Sequence, residues 1–405
     1  MEIGVRERMK TPNYRWIVLV CCVMAVSVVS IDNTSFTPLL PSIKSDWGLT
    51  YTQGGLLTTA FFVGYSMGQI PWGYVVDRFG GRKVIFSSLA GLTAASLLFG
   101  AASGGANAIA WRFAAGLLGA GIFVPSTRVL SEWFPSRERG FAIGVFGVGI
   151  NAGFLLAAAL SPLIALGLGW RLSVSLLASF GFIAAACVAI WLKDAPAGET
   201  QKRVRSVAPT GILKDAAFLI LGYDQFVRLG VTYALVAWVP TFMFETHGYD
   251  LIAAGISISL MHGVAIIANP VGGVVSDRMG RIPVVVSSLL AFVPCFYLFE
   301  TVGHGVVLWG LIAALGWLVY FYLGSLFAML PELYGTETAG RVAGYQNTFA
   351  SAGAFVLPLV LGVLRDLTGS FTAGWTVLAV LCALGSLLTL MARSRLHRLA
   401  DRPRM

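Results

Sequence analysis

Residues 73–83 read Gly-Tyr-Val-Val-Asp-Arg-Phe-Gly-Gly-Arg-Lys, and residues 273–281 read Gly-Val-Val-Ser-Asp-Arg-Met-Gly-Arg. Gly73 and Gly273, Asp77 and Asp277, Arg78 and Arg278, and Gly80 and Gly280 all stand 200 positions apart. The second copy lacks one glycine, so Arg281 answers Arg82 one place early. Each copy closes one long apolar run and opens the next. A short, charged, glycine-bearing turn used twice between hydrophobic segments marks a duplicated membrane protein. The duplication reaches further at the same offset. Glu132-Trp133-Phe134-Pro135 before Gly140 is answered by Glu332-Leu333-Tyr334 before Gly340, and Gly48 by Gly248.

Composition supports this reading. Of 405 residues 57% are hydrophobic and 12% charged, against roughly a quarter charged in soluble domains. Apolar runs of 20 or more residues recur along the chain, each able to cross a hydrocarbon core of about 30 Å as a helix. Spans are expected near 16–40, 51–76, 84–103, 106–131, 140–166, 171–192, 216–244, 251–276, 282–302, 304–330, 340–364 and 371–392. The expected fold is therefore an all-α membrane protein of twelve transmembrane helices in two pseudo-symmetric six-helix bundles. Residues 1–192 form the first bundle, 193–214 a polar cytoplasmic linker, and 215–405 the second bundle with its basic tail.

The net charge of +9 does not call for nucleic acid, because the charge is sorted. The N-terminus, the loops after even-numbered spans and the C-terminus hold 23 of the 28 Lys and Arg, and the opposite loops hold only Lys44, Arg171 and Arg365. The positive-inside rule places both termini in the cytoplasm. The five cysteines (Cys21, Cys22, Cys187, Cys295, Cys382) lie in apolar runs without CxxC spacing and read as packing residues. No metal or nucleophile constellation is present, so neither an enzyme nor a cofactor is implied.

Five ionisable residues fall well inside spans: Asp32, Arg112, Asp224, Arg228 and His262. Intramembrane charge is costly, so each is a site candidate. Asp32 lies ~24 Å from the cytoplasmic end of its span, and Arg112 ~9 Å in from the other side. The two are level in the outer half of a ~30 Å core, within reach of one another. Arg112 offers a planar multi-donor guanidinium to an anionic group, and Asp32 holds it when the site is empty and takes a proton during the cycle; a permanent structural pair is the alternative. Asp224 and Arg228 are spaced for an intrahelical pair; the other reading has Arg228, near the midplane, supply the second half's cationic contact. His262, Asn33, Tyr320 and Tyr322 complete the candidate set, with packing the alternative for His262 and for the aromatic tenth span. Gly144, Gly147, Gly149 and Gly153 give small-residue spacing for close helix contact.

Twelve spans, a basic central loop and the duplicated Gly-x-x-x-Asp-Arg-x-Gly turn resemble the major facilitator superfamily of secondary transporters. Gly64-Tyr65-Ser66-Met67-Gly68-Gln69-Ile70-Pro71-Trp72-Gly73, Glu132-Trp133-Phe134-Pro135, Gly169-Trp170-Arg171 and Trp238-Val239-Pro240 are similar to its anion:cation symporter branch. Two positions depart from that branch: Asn33 follows Asp32 where an Asp-Arg pair is usual, and Gly119 stands seven residues after Arg112 where a glutamate is common. The fifth span lacks the Gly-Pro pair of drug-efflux branches. The resemblance implies proton-linked movement of a small organic anion by alternating access in the inner membrane, by a functional monomer. It also implies a gating turn (Gly73, Asp77, Arg78, Gly80, Arg82 and Asp277, Arg278, Gly280, Arg281), with Asp77 and Asp277 clasping the starts of the eleventh and fifth spans. Exchange or efflux of another solute, or a transporter-like sensor, is the alternative.

Overall fold

The computed structural model describes residues 14–194, 215–303, 305–334 and 336–393. The expected linker over 195–214 and the tail over 394–405 lie outside them. The described chain is helical throughout: α1 Tyr14–Ser35, α2 Leu40–Trp47, α3 Tyr51–Phe79, α4 Gly81–Gly100, α5 Gly105–Trp133, α6 Ser136–Trp191, α7 Ala216–Glu245, α8 Leu251–Met279, α9 Arg281–Thr301, α10 Val306–Phe321, α11 Leu323–Tyr334, α12 Thr336–Thr368 and α13 Thr372–Met391.

Ten helical segments among the described residues combine the length and apolarity of a membrane span. One of them, Glu138–Trp191, has 54 residues, twice what a bilayer needs. It bends at Gly169, whose φ of 76° is left-handed backbone that glycine adopts without steric cost. Its two limbs are the fifth and sixth spans. The second span is α3, 29 residues long. The twelve expected crossings are all present, and the chain is a multi-pass membrane protein.

The spans differ from expectation in two places. The first helix stops at Ser35, and a turn leads into the short α2. The tenth span is broken at Tyr322 (φ −97°, ψ 1°) into α10 and α11, in the sparsely allowed bridge region.

The helices gather into two compact units, residues 14–39 with 60–194 and residues 40–59 with 215–393. In the first, α1 packs on α6, and α4 on α5 and α6. Only half of the fifth-span glycines serve that packing. A Cβ at Gly149 would meet Val23 at 2.9 Å and one at Gly153 the Ser27 carbonyl at 2.6 Å, whereas Gly144 and Gly147 face open space. In the second unit α7 packs on α12, α9 on α13 and α8 on α10. Helix α7 is the hub: most of its residues are buried, including Asp224, Gln225 and Arg228. Its polar side chains therefore point into protein rather than lipid. The five cysteines are free thiols, buried or half-buried.

Candidate substrate and coupling site

In the first unit α1 and α5 carry Asp32 and Arg112 to the same level. Arg112 Nη1 donates to Asp32 Oδ2 at 2.6 Å, and Nη2 donates to Asn33 Oδ1 at 3.1 Å. Ser96 of α4 donates to the other carboxylate oxygen. The guanidinium lies 4.6 Å from the centroid of Phe36 and 4.8 Å from that of Phe61, positions where an aromatic face attracts a cation. Arg112 is 1% and Asp32 6% exposed. This is a buried ion pair with hydrogen bonds on both partners, the arrangement that offsets the desolvation of two charges.

The second unit is different. Asp224 and Arg228 do not pair, contrary to the spacing. Asp224 Oδ2 accepts from Thr389 Oγ1 of α13 at 2.6 Å, while Oδ1 is buried without a hydrogen-bond partner among the described residues. Arg228 Nε donates to Gln225 Oε1 at 2.9 Å. Residues four apart are neighbours on a helix, but side-chain direction follows what each side chain packs against. Here a hydroxyl on α13 and an amide one turn back take the place of the partner.

Arg228 is 7% exposed and forms no salt bridge with a carboxylate among the described residues. A guanidinium has five N–H donors; among the described residues only Nε is used. Tyr320, Tyr322 and Tyr233 lie within its electrostatic range. The Tyr322 hydroxyl is buried and unpartnered. His262 Nδ1 lies 3.0 Å from the Ile258 carbonyl, and its ring meets that of Tyr320 edge-on, centroids 5.9 Å apart. The arrangement combines an uncompensated buried cation with phenols and an amide.

The two charged turns are built on local pairs. Gly80 (φ 83°) and Gly280 (φ 92°) take the left-handed backbone the turns require, whereas a Cβ at Gly73 or Gly273 would meet nothing. Asp77 pairs with Arg128, which also holds Glu132; Asp277 pairs with Arg281, which also holds Glu332. The exposed amide at the start of α4 is capped by Asp194, whose Oδ1 accepts from Arg82 N at 2.9 Å. The cap of α4 is thus a residue read as linker. A cavity of about 360 Å³ opens beside Asp277, Arg281 and Glu332, with Arg393 also in its lining; Arg281 pairs with both acids there.

Sequence reasoning also missed a network at the other end of the second unit. Glu245 accepts from Tyr51 Oη at 2.5 Å and Lys44 Nζ at 3.2 Å, with Arg365 at 3.8 Å. Asp366 caps α3 by accepting from the backbone N–H of Tyr51 and Thr52 at 2.9 and 2.7 Å. Each charge sits at a span end and looks alone in the sequence like a loop charge. Ser96 and Thr389 gave no signal, being hydroxyls within apolar runs.

Two helical bundles of membrane-spanning helices, each with a buried polar centre among the described residues, are the architecture of a membrane carrier. The family profile described as Major Facilitator Superfamily matches residues 22–358, and the chain belongs to that family. It is similar to a probable sulfoacetate transporter of Cupriavidus necator (26% identical, covering 95% of each chain). It is also similar to a probable galactarate/D-glucarate transporter of Bacillus subtilis (26%, 89% of this chain and 88% of the relative) and a probable nitrate transporter of Staphylococcus aureus (26%, 85% and 87%). A bacterial homologue of the human lysosomal transporter Spinster, solved inward-facing and unoccupied, shares the fold with a TM-score of 0.78 at 16% identity over 96% of this chain and 97% of that one.

Proposed function

We propose that this transporter carries a small organic anion, a carboxylate or sugar acid, across the cytoplasmic membrane by alternating access, with proton coupling and both termini in the cytoplasm. The observation that carries this reading is Arg228: a buried guanidinium with free donors and no acid beside it among the described residues. Placing an uncompensated cation inside a membrane protein is costly, and an anionic substrate removes that cost on binding. Gln225 and the tyrosines around Arg228 orient the rest of the solute. The relatives' names support the charge sign, since sulfoacetate, galactarate, D-glucarate and nitrate are all anions. Arg112 already holds Asp32 and serves the first unit's integrity and conformational cycle. Asp77 and Asp277, with their arginines, act as gating turns.

The test is uptake into proteoliposomes under an inward proton gradient, with D-glucarate, galactarate, sulfoacetate, nitrate and a neutral sugar as labelled probes. Gradient-driven uptake of an anion, lost in Arg228→Gln, is the expected result. Transport of the neutral sugar alone would overturn the anion reading. Anion counterflow with no gradient response would reassign the protein as an exchanger.

A further inference from the structure

Asp224 has no role in holding substrate charge in the reading above, yet it is the most isolated carboxyl in the described membrane interior. It is 0% exposed. One oxygen accepts from Thr389 at 2.6 Å; the other has no hydrogen-bond partner among the described residues. Opposite it stands Gly385, where a Cβ would come within 3.0 Å of Oδ1, so this glycine leaves room for the carboxyl. The titratable and charged groups facing it are Cys382 from α13, Tyr223 from its own helix and Tyr322. Tyr223 is tied up, donating to the Leu381 carbonyl at 2.9 Å. Tyr322 is not, and it lies within electrostatic range of Arg228 as well. None of these groups is a cation. Arg228 stands one helical turn along α7 and turns to Gln225 instead.

We infer that Asp224 is the site that binds the coupling proton, and that Arg228 alternates between the substrate anion and the Asp224 carboxylate. The inference rests on the anion reading of Arg228. In the loaded state the anion neutralises Arg228 and the proton neutralises Asp224. When the anion leaves, Arg228 becomes the counter-ion of Asp224, an exchange that i,i+4 spacing permits. The Asp224 O–H bond then breaks, its electron pair stays on the carboxylate, and the proton passes to water on the side that received the anion. Tyr322 supplies a second donor to the carboxylate. Both states carry no net charge in this part of the membrane, which is what a low-dielectric interior favours. Asp32, paired with Arg112 and bonded by Ser96, is left in this scheme to the first unit's ion pair.

Two measurements on the purified full-length protein test this. In proteoliposomes with the membrane potential clamped at zero, wild type coupled to one proton per monovalent anion accumulates a monovalent sugar acid, D-glucuronate, about tenfold per pH unit of inward gradient; nitrate, D-glucarate and sulfoacetate are run beside it. Asp224→Asn is expected to keep counterflow but accumulate to no more than equilibrium, and Asp224→Glu to restore accumulation. The second measurement needs no substrate. Infrared pH-difference spectra of wild type should contain a protonated-carboxyl C=O band that Asp224→Asn removes and Thr389→Val shifts. Gradient-driven accumulation by Asp224→Asn equal to wild type would overturn the assignment, as would a difference spectrum unchanged by both substitutions. A wild type that moves no anion overturns the anion reading instead, and the infrared result then stands alone as evidence for or against the proton site.

Discussion

Arg228→Gln separates an anion receptor from a structural arginine. The guanidinium spends one donor on Gln225, leaving a fork of N–H groups for a carboxylate. A hydrogen bond to a charged group contributes about 1.5–3 kcal/mol net, so loss of two parallel bonds costs at least ~3 kcal/mol. At 1.4 kcal/mol per decade, the dissociation constant rises about 100-fold. Arg228→Lys keeps the charge and loses the fork, with an expected rise of about tenfold. Folding should respond in the opposite sense to the usual buried arginine. Removing one partner of a buried pair leaves an orphan charge, but Arg228 has no acid to orphan among the described residues, so the melting temperature in detergent should hold or rise. The assay is equilibrium binding of the transported anion to purified protein, with the melt recorded on the same samples. The comparison is the double variant Asp32→Asn with Arg112→Gln, which removes the other arginine without stranding its acid. If that variant loses binding about 100-fold while Arg228→Gln stays within about threefold, the anion sits on Arg112 and the argument from Arg228 fails.

Asp32→Asn alone strands Arg112 among Phe36, Phe61 and Phe99 and should cost about 3–5 kcal/mol, read as a large drop in melting temperature that the double variant largely recovers. Asp77→Asn breaks a pair whose side chains are 46% and 48% exposed, where such pairs contribute less than about 1 kcal/mol; its melt should barely move while transport slows with binding retained, and equal losses of rate and affinity would count against a gating role. Gly153→Val should push α1 from α6 and abolish folded yield, since its Cβ meets the Ser27 carbonyl, whereas Gly144→Val, facing open space, should express and transport like wild type. Glu245→Gln leaves Lys44 and Arg365 without their acid and should lower stability by about 1–3 kcal/mol, measured by thermal unfolding at low and high salt.

What the sequence disclosed depended on whether one helix's regularity was enough. Rise per residue alone put Asp32 and Arg112 at one level, and the structure brings them to 2.6 Å, because each helix is continuous from its end to the residue in question. The positions of Gly80 and Gly280 were legible for a similar reason: a reversal of direction between two spans needs backbone that only glycine adopts cheaply. Asp224 and Arg228 failed because spacing on one helix says who is near and not who competes. Thr389 is 165 residues from Asp224, and no periodicity of α7 announces it. Four glycines spaced along the fifth span looked equivalent, yet only the face presented to α1 uses them, and a face is chosen by the neighbour. Asp194 was hidden by its surroundings, a single cap at the edge of a polar stretch that read as linker throughout.

The two buried arginines show why residue type and depth do not decide a role. Both are nine-tenths buried or more, and each carries a cation into a medium that penalises it. Arg112 meets that penalty with a carboxylate, an amide and aromatic faces, all supplied by its own unit. Its free energy is therefore nearly independent of what binds, and a ligand gains little by displacing so complete a set of partners. Arg228 meets it, among the described residues, with an amide and neighbouring phenols, and in the proposed reading its free energy depends on an incoming anion. A carrier needs such a residue, because a ligand shifts a conformational equilibrium only by the difference in its affinity for the two states. That difference is large where the protein leaves a charge unmet and small where the protein has met it already. The neutral partner Gln225 holds Arg228 in place without competing for its charge, and exchanging it for glutamate should convert Arg228 into a second Arg112. Gln225→Glu is thus expected to weaken anion binding by as much as Arg228→Gln while raising the melting temperature; unchanged binding in Gln225→Glu would show that uncompensated charge is not what the substrate reads.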